Sequence, residues 1–282
     1  MNQQSLRQLY DIHVGKVSDK WSSYLEVYDR VLGMYRSTPV RLLEIGIQNG
    51  GSLEIWAKYF ETAQTLIGCD INPDCAKLAY ADPCIHVLVG DAGTSEILQR
   101  VTALSPLLDI VIDDGSHQSR DMVRNFSLYF PQLADGGVFI AEDMHSSYWS
   151  QFGGGLSHPY AGMTFYKQLA DVIHAEYWGV PKDGRDLLAK TLQFHECDID
   201  STVLSHVHAI EFRNSMVIVT KRAPAENTLG SRVVGGQTAS VWHEVVDLRG
   251  STRESYLSHP VFDQSSNRWN TEPFDPEFPQ KK

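Results

Sequence analysis

Leu108-Asp109-Ile110-Val111-Ile112-Asp113-Asp114-Gly115-Ser116-His117 is the stretch from which the rest of the chain can be read. Its apolar run has the length and β-branched content of a buried strand, and it ends abruptly in carboxylates. Val138-Phe139-Ile140-Ala141 runs into Glu142-Asp143 in the same way. In an open parallel sheet, ligands bind just outside the carboxyl ends of the strands, so two such strands would aim several negative charges into one small volume. Like charges held close cannot all stay ionised. A hard divalent cation removes the conflict, and oxygen ligands suit magnesium, calcium or manganese better than zinc. Taken singly, either cluster is accounted for more simply by a helix cap (Asp114 or Ser116) or an acidic turn. Two in register favour a site.

Upstream, Tyr24, Tyr28, Val31, Leu32 and Tyr35 recur with helical spacing, and the first forty residues read as helical. Strand-like Val40 to Ile45 leads to the turn Gly46-Ile47-Gln48-Asn49-Gly50-Gly51, and Ser52 is a candidate N-cap for a helix carrying Leu53, Trp56, Ala57 and Phe60. Thr65 to Cys69 is a strand ending at Asp70, and Ile85 to Val89 is another, ending at Gly90-Asp91. A helix with Ile97, Leu98, Val101 and Leu104 precedes the first acidic cluster, and one with Met122, Phe126, Tyr129, Phe130 and Leu133 follows it. This alternation predicts an α/β fold with a mostly parallel sheet and right-handed crossovers. After Asp143, the glycine-rich stretch Ser150 to Gly162 reads as a mobile loop and Phe165 to Tyr177 as helix. Val207 to Phe212 and Met216 to Lys221 read as an antiparallel hairpin closing the sheet. The expected organisation is an N-terminal helical segment (1–38), one α/β domain (39–222) and an arm or partly disordered tail (223–282). In that tail Val241, Trp242, Val245, Val246 and Leu248 could form a short packed element.

With 282 residues and 42% hydrophobic content, the chain can build a real core. Its formal charge of −11 argues against nonspecific nucleic-acid binding and against an anionic membrane surface as partner. No apolar run approaches a membrane span, and the start lacks the features of a signal peptide. Cys69, Cys75, Cys84 and Cys197 form no C-x-x-C pair, and Cys69 has the context of a buried free thiol, so a reduced cytoplasm is the expected location.

The turn after the first strand supplies glycines where backbone must approach a ligand closely, although Gln48 breaks the dinucleotide G-x-G-x-x-G pattern. Asp70, at the next strand end, is placed to accept hydrogen bonds from a ribose diol, and Asp91 to face a nucleobase amine. Each is also an ordinary turn residue, but the ordered set Glu44, Gly46, Asp70, Asp91 is harder to obtain by accident.

With these residues, the sequence resembles the class I S-adenosylmethionine-dependent methyltransferases. More narrowly, it is similar to the metal-dependent macrolide-sugar O-methyltransferases of the mycinamicin and macrocin type. The resemblance runs from about Ser18 to Lys221. It rests on Ser18-Asp19-Lys20-Trp21, Leu43-Glu44-Ile45-Gly46, Gly50-Gly51-Ser52-Leu53, Asp113-Asp114-Gly115-Ser116-His117, Glu142-Asp143 and Ser147-Tyr148-Trp149. It implies a Rossmann-like seven-stranded sheet with an antiparallel C-terminal hairpin. S-adenosylmethionine would lie over Glu44, Gly46, Asn49, Gly50 and Ser52, with Asp70, Asp91 and Asp113 completing its site. It further implies Mg2+ or Mn2+ on Asp114, Glu142 and Asp143, vicinal hydroxyls of a small-molecule or glycan acceptor at that metal, and His117 as base beside Asp114. The macrolide enzymes have a large auxiliary domain ahead of the position of Asp19-Lys20, where this chain has fewer than twenty residues. His145 stands where an uncharged polar residue is usual, which makes it a second candidate base.

Such chemistry suits the residues present. Methyl transfer needs an acceptor oxygen aligned with the methyl carbon and a group to take its proton. A sugar hydroxyl is a poor acid, and a bound cation would lower its pKa. His145, Tyr148, Trp149 and His158, with Tyr160 and Phe165, are the expected substrate contacts or lid over an apolar sugar face. The leading expectation is thus an O-methyltransferase acting on a sugar of a glycoside, glycolipid or polysaccharide precursor, as in natural-product biosynthesis. A catechol-like acceptor, a cofactor-binding protein without turnover and a carboxylate-metal hydrolase are the alternatives. Oligomeric state, a homo-oligomer included, stays open.

Overall fold

The computed structural model describes residues 3–257, 262–267 and 270. Its frame is a seven-stranded sheet in the order β3-β2-β1-β4-β5-β7-β6. The strands are β1 (Arg41–Ile45), β2 (Thr65–Asp70), β3 (Ile85–Val89), β4 (Leu108–Asp113), β5 (Leu133–Ala141), β6 (Val207–Arg213) and β7 (Met216–Lys221). The first five run parallel to one another, and β7 is antiparallel to both β5 and β6. The chain starts in the middle at β1, moves out to β3 and then returns to the other side of β1 at β4. The loops leaving β1 and β4 therefore diverge and open a crevice at the switch point.

Register sets the level of that crevice. Ile45 pairs with Asp113, and Asp113 with Ala141, so Gly46, Asp114 and Glu142 leave the sheet side by side. The ladder continues one step beyond the strands, with Asp114 N–H on the Ile45 carbonyl and Glu142 N–H on the Asp113 carbonyl, each at 2.9 Å. Two acidic clusters far apart in sequence are thereby brought to one edge.

Helices cover both faces, as parallel strands buried on both sides require. One face carries α1 (Leu6–Asp11), α2 (Ser22–Leu32) and α3 (Gly51–Tyr59), with Leu6, Tyr28, Leu32 and Trp56 fully buried. The other carries α4 (Ser95–Leu104), α5 (Ser119–Tyr129), α6 (Gly162–Ile173) and α7 (Gly184–Phe194), followed by the short α8 (Ser201–Leu204). The N-terminal helices are part of the main core: the Tyr28 and Trp56 rings meet edge to face at 5.2 Å. On the opposite face Phe126 packs against Phe130, Phe139, Phe165 and Tyr166, with centroid separations from 4.7 to 5.8 Å.

Several local expectations need correction. Residues 12–21 are a loop between α1 and α2, not helix; it contains a glycine and runs over the start of α3, where Gly51 N–H bonds the Val17 carbonyl. Gly50, in the left-handed region, caps α3; Ser52 lies inside the first turn, its hydroxyl donating to Glu44. Leu133 begins β5 instead of ending α5, because the helix stops at Tyr129 ahead of Pro131. Between Tyr177 and Val207, where the periodicity suggests no element, α7 starts at an Asp183/Asp186 capping box and buries Leu188 and Leu192. Phe165 is fully buried in the core and belongs to no lid. In the tail, His243–Leu248 forms a 3-10 turn, but Val241 and Trp242 before it are exposed and make no packed element.

Removing the Phe126 ring opens a cavity among four aromatic neighbours. Phe126→Ala is expected to cost about 3–5 kcal/mol, read as a lower denaturation midpoint at unchanged slope in urea.

Candidate active site

At the carboxyl edge, a buried ammonium organises the acidic strand ends. Lys20, in the loop before α2, places its Nζ 2.6 Å from Glu142 Oε1 and 3.6 Å from Glu44 Oε1, and it also bonds Asp114 Oδ2. Only 3% of its side chain is exposed. Tyr28 OH donates to the same Glu142 oxygen, Ser52 Oγ donates to Glu44 Oε2 at 2.6 Å, and Tyr24 OH donates to Asp143 Oδ1 at 2.7 Å. Burial alone would depress the Lys20 pKa, but Glu142, Asp114 and Glu44 together raise it well above its ordinary value. Burial is also the main cause of the raised carboxyls: Asp113 to about 7, Glu142 to about 7 and Asp114 to about 6, with Lys20 opposing the shift in the last two.

Next to this network lies a set of oxygen and nitrogen donors suited to a cation. Ligand atoms of Asp114, His117 and Asp143 all lie within 4.8 Å of one another. His117 Nε2 is 3.6 Å from Asp143 Oδ2 and 3.8 Å from Asp114 Oδ1. Glu142, expected beside them, is turned instead toward Lys20 and Tyr28. Burial depresses the His117 pKa. Both His117 (φ 56°) and Asp143 (φ 51°) adopt left-handed backbone conformations that non-glycine residues rarely take.

On the β1–β2–β3 side of Asp114 lies a cleft of about 230 Å³ lined by Gly46, Asp70, Asp91, Asp114 and Asn125, with Ile71 and Ala92 supplying apolar wall. Gly46 has φ +86°, and a Cβ there would come within 2.0 Å of the Asp114 carbonyl, so no other residue fits. Asp70 does more than face the cleft: its Oδ2 accepts from Ile47 N–H (3.0 Å) and Gln48 N–H (2.8 Å), tying down the glycine turn. Asp91 Oδ1 accepts from Gly93 N–H, and its other oxygen faces no protein donor among the described residues. Asn125 donates to both Asp113 oxygens, while its own buried carbonyl oxygen lacks a partner among the described residues. A concave wall with apolar sides, two rim carboxylates and an orphaned amide oxygen fits a nucleoside-bearing cofactor.

Of the other expected cofactor contacts, Glu44, Ser52 and Asp113 lie buried behind the cleft, Gly50 packs on Tyr80, and Asn49 is exposed outside it. His145 and Tyr148 line a second cleft across the acidic cluster, and Trp149 packs edge-on against the His145 ring at 4.9 Å. His158 is elsewhere, between Tyr160 and Phe194. Lys20, Tyr24, Tyr28 and Asn125 are site residues that the pattern assigns to no role; Lys20 lies within a quoted motif, but its partners are 94 and 122 positions away.

Residues 43–144 match the family model described as a methyltransferase domain. The strand order and switch-point crevice agree with the fold that the sequence resemblance implies. The chain is 34% identical over 192 residues to 8-demethyl-8-alpha-L-rhamnosyl tetracenomycin-C 2'-O-methyltransferase of Streptomyces olivaceus, covering 63% of this chain and 50% of that one. It is 37% identical over 164 residues to mycinamicin VI 2''-O-methyltransferase of Micromonospora griseorubida, covering 55% of this chain and 40% of that one. It thus spans about half the length of the curated relatives it matches. The MycE methyltransferase of the mycinamycin biosynthetic pathway, in complex with Mg and SAH, superposes with a TM-score of 0.66 at 24% identity, covering 87% of this chain and 59% of that one, which shows the shared fold. Among the described residues no helix is long and apolar enough to cross a membrane.

The acidic edge has consequences for stability. Lys20→Met leaves three carboxylates without their counter-charge and is expected to cost about 3–5 kcal/mol in chemical denaturation. Carboxyls with raised pKa hold extra protons in the folded state, so their contribution is complete below about pH 4 and is lost as pH rises through about 6–7. In chelator, the protein should therefore melt at lower temperature near pH 8 than near pH 5.5, and scanning calorimetry should show magnesium restoring more at the higher pH.

Proposed function

We propose that the chain transfers a methyl group from S-adenosylmethionine to a sugar hydroxyl of a glycoside, glycolipid or polysaccharide precursor, with a divalent cation in the acidic cluster. The observation that carries this reading is the position of Asp114, which lines the nucleoside-type cleft and also belongs to the cation-suited cluster. A methyl donor in the first and a hydroxyl at the second would be neighbours. Sugar O-methylation by relatives at 34% and 37% identity supports the choice of acceptor.

In this reading Asp70 and Asp91 hold the ribose diol and the adenine amine, while the glycine turn lets backbone approach the cofactor. S-adenosylmethionine supplies a methyl group on a sulfonium whose leaving group is already built in. Asp114 and Asp143 would hold the cation, with a reoriented Glu142 completing the set and His117 left free. A cation held there would supply a lowered pKa to a hydroxyl brought against it. His117 Nε2 faces the same spot and, with its pKa depressed by burial, is neutral near pH 7 and free to accept the proton. Tyr24 fixes Asp143, Lys20 fixes Asp114, and His145 with Tyr148 lines the acceptor side.

The test is methyl incorporation into sugar and catechol acceptors, with and without chelator. Turnover on a sugar should require divalent cation while cofactor binding largely survives chelation. His117→Ala should lower kcat by roughly 10²–10⁴-fold with cofactor affinity near wild type. In the wild type, kcat should rise through a pKa below about 6.5 and then level off. Full turnover in chelator, or more than about a tenth of kcat left in the variant, would remove the cation or His117 from the chemistry.

A further inference from the structure

The second cleft, about 400 Å³, is lined by His145, Tyr148, Met163, Lys167, Phe212, Arg213, Asn214 and Ser215. It contains no carboxylate, although the chain as a whole carries a formal charge of −11. Lys167 projects from the exposed side of α6 and meets no acid or hydrogen-bond acceptor among the described residues. Arg213, at the end of β6, is anchored through Nε by Glu211, which Arg30 also engages. One carboxylate shared by two guanidiniums leaves a positive surplus, and no protein partner among the described residues takes the terminal nitrogens of Arg213. Asn214 and Ser215 add polar groups on the turn between the strands. Two cations from separate elements, one of them held in place, thus line the same cleft, and His145 separates it from the acidic cluster, its Nδ1 3.9 Å from Asp143 Oδ1.

We infer that this cleft is an anion subsite: the acceptor sugar carries a carboxylate or a phosphate, which Lys167 and Arg213 bind while a hydroxyl of the same molecule reaches the acidic cluster. A hydroxyl-bearing neutral sugar has no use for unneutralised cations at that position, whereas an anion is bound there by charge-assisted hydrogen bonds and, at Arg213, by a planar fork. The inner end of the acceptor would thus be selected by the acidic cluster and its outer end by the two cations. This inference rests on the methyl-transfer reading for the identity of the ligand as an acceptor, but not for the existence of the anion subsite.

The experiment compares methyl glucoside, methyl glucuronide and glucose 1-phosphate, with inorganic phosphate as a probe free of sugar stereochemistry. Binding is measured by calorimetry on protein loaded with S-adenosylhomocysteine and magnesium, and methyl transfer by initial rates. At least one anionic sugar should bind tenfold or more tighter than the neutral glucoside, a preference weakening with ionic strength. Lys167→Glu should reduce that preference by about 10- to 100-fold, the range for losing a hydrogen bond to a charged group, and Lys167→Arg should keep it. A uronide favoured over the phosphate identifies a carboxylate, and the reverse a phosphate. Equal binding of neutral and anionic sugars, no binding of any probe, or a Lys167→Glu protein with unchanged preference overturns the subsite. Methylation of the neutral glucoside in that case leaves the methyl-transfer reading standing. Lys167-dependent anion binding without methylation of any acceptor supports the subsite and removes that reading.

Discussion

The structure depends on one buried ammonium. Glu44 near the end of β1, and Asp114 and Glu142 just beyond the ends of β4 and β5, converge on Lys20, which sits among them almost wholly shielded from water. At separations near 4 Å, each unit-charge interaction is worth about 4 kcal/mol at an effective dielectric of 20, so three unpaired carboxylates would oppose closure of the strand ends. The ammonium comes from the loop between α1 and α2, and Tyr24 and Tyr28 on α2 bond Asp143 and Glu142 directly. The N-terminal helices are accordingly a working part of the site as well as one layer of the core. A change that loosens them would disturb the carboxylates before it disturbed the sheet.

Strain collects around the same rim. Gln48, His117 and Asp143 all have φ between 44° and 56°, a region that costs non-glycine residues of order 1 kcal/mol or more. Surrounding contacts over-determine each one. Asp70 holds the turn at Gln48, the register delivers Asp114 just ahead of His117, and Tyr24 accepts the Asp143 N–H while donating to its carboxylate. The outcome is a set of side chains aimed inward from three loops. Rigid strands behind them keep those aims fixed, as the proposed alignment of an acceptor oxygen would require.

The two clefts flank this rim with opposite character. One is walled by Asp70 and Asp91 and offers hydrogen-bond acceptors; the other is free of carboxylates and carries Lys167 and Arg213. A ligand with cationic and amine groups on one side, and one with an anionic group on the other, would each meet complementary charge. The acidic cluster at Asp114 is where they would touch.

The sequence alone determined the alternation of strands and helices, the acidic strand ends and the glycine turn, because a period of two or of 3.6 and a carboxylate after an apolar run are local facts. Those facts place Gly46, Asp70, Asp91, Asp114, His117 and Asp143 at the carboxyl ends of the strands, where the structure also has them. Only the tertiary structure decided which of them face solvent. Glu44 lies in a strand buried on both sides, and Ser52 points back at it, so neither reaches the cleft; His158 is drawn off by Phe194 on α7. Lys20 meets carboxylates 94 and 122 residues away, through a register and a helix crossing that no short-range pattern encodes. Pairing across such distances is set by how strands align and layers stack, and that is a property of the folded whole.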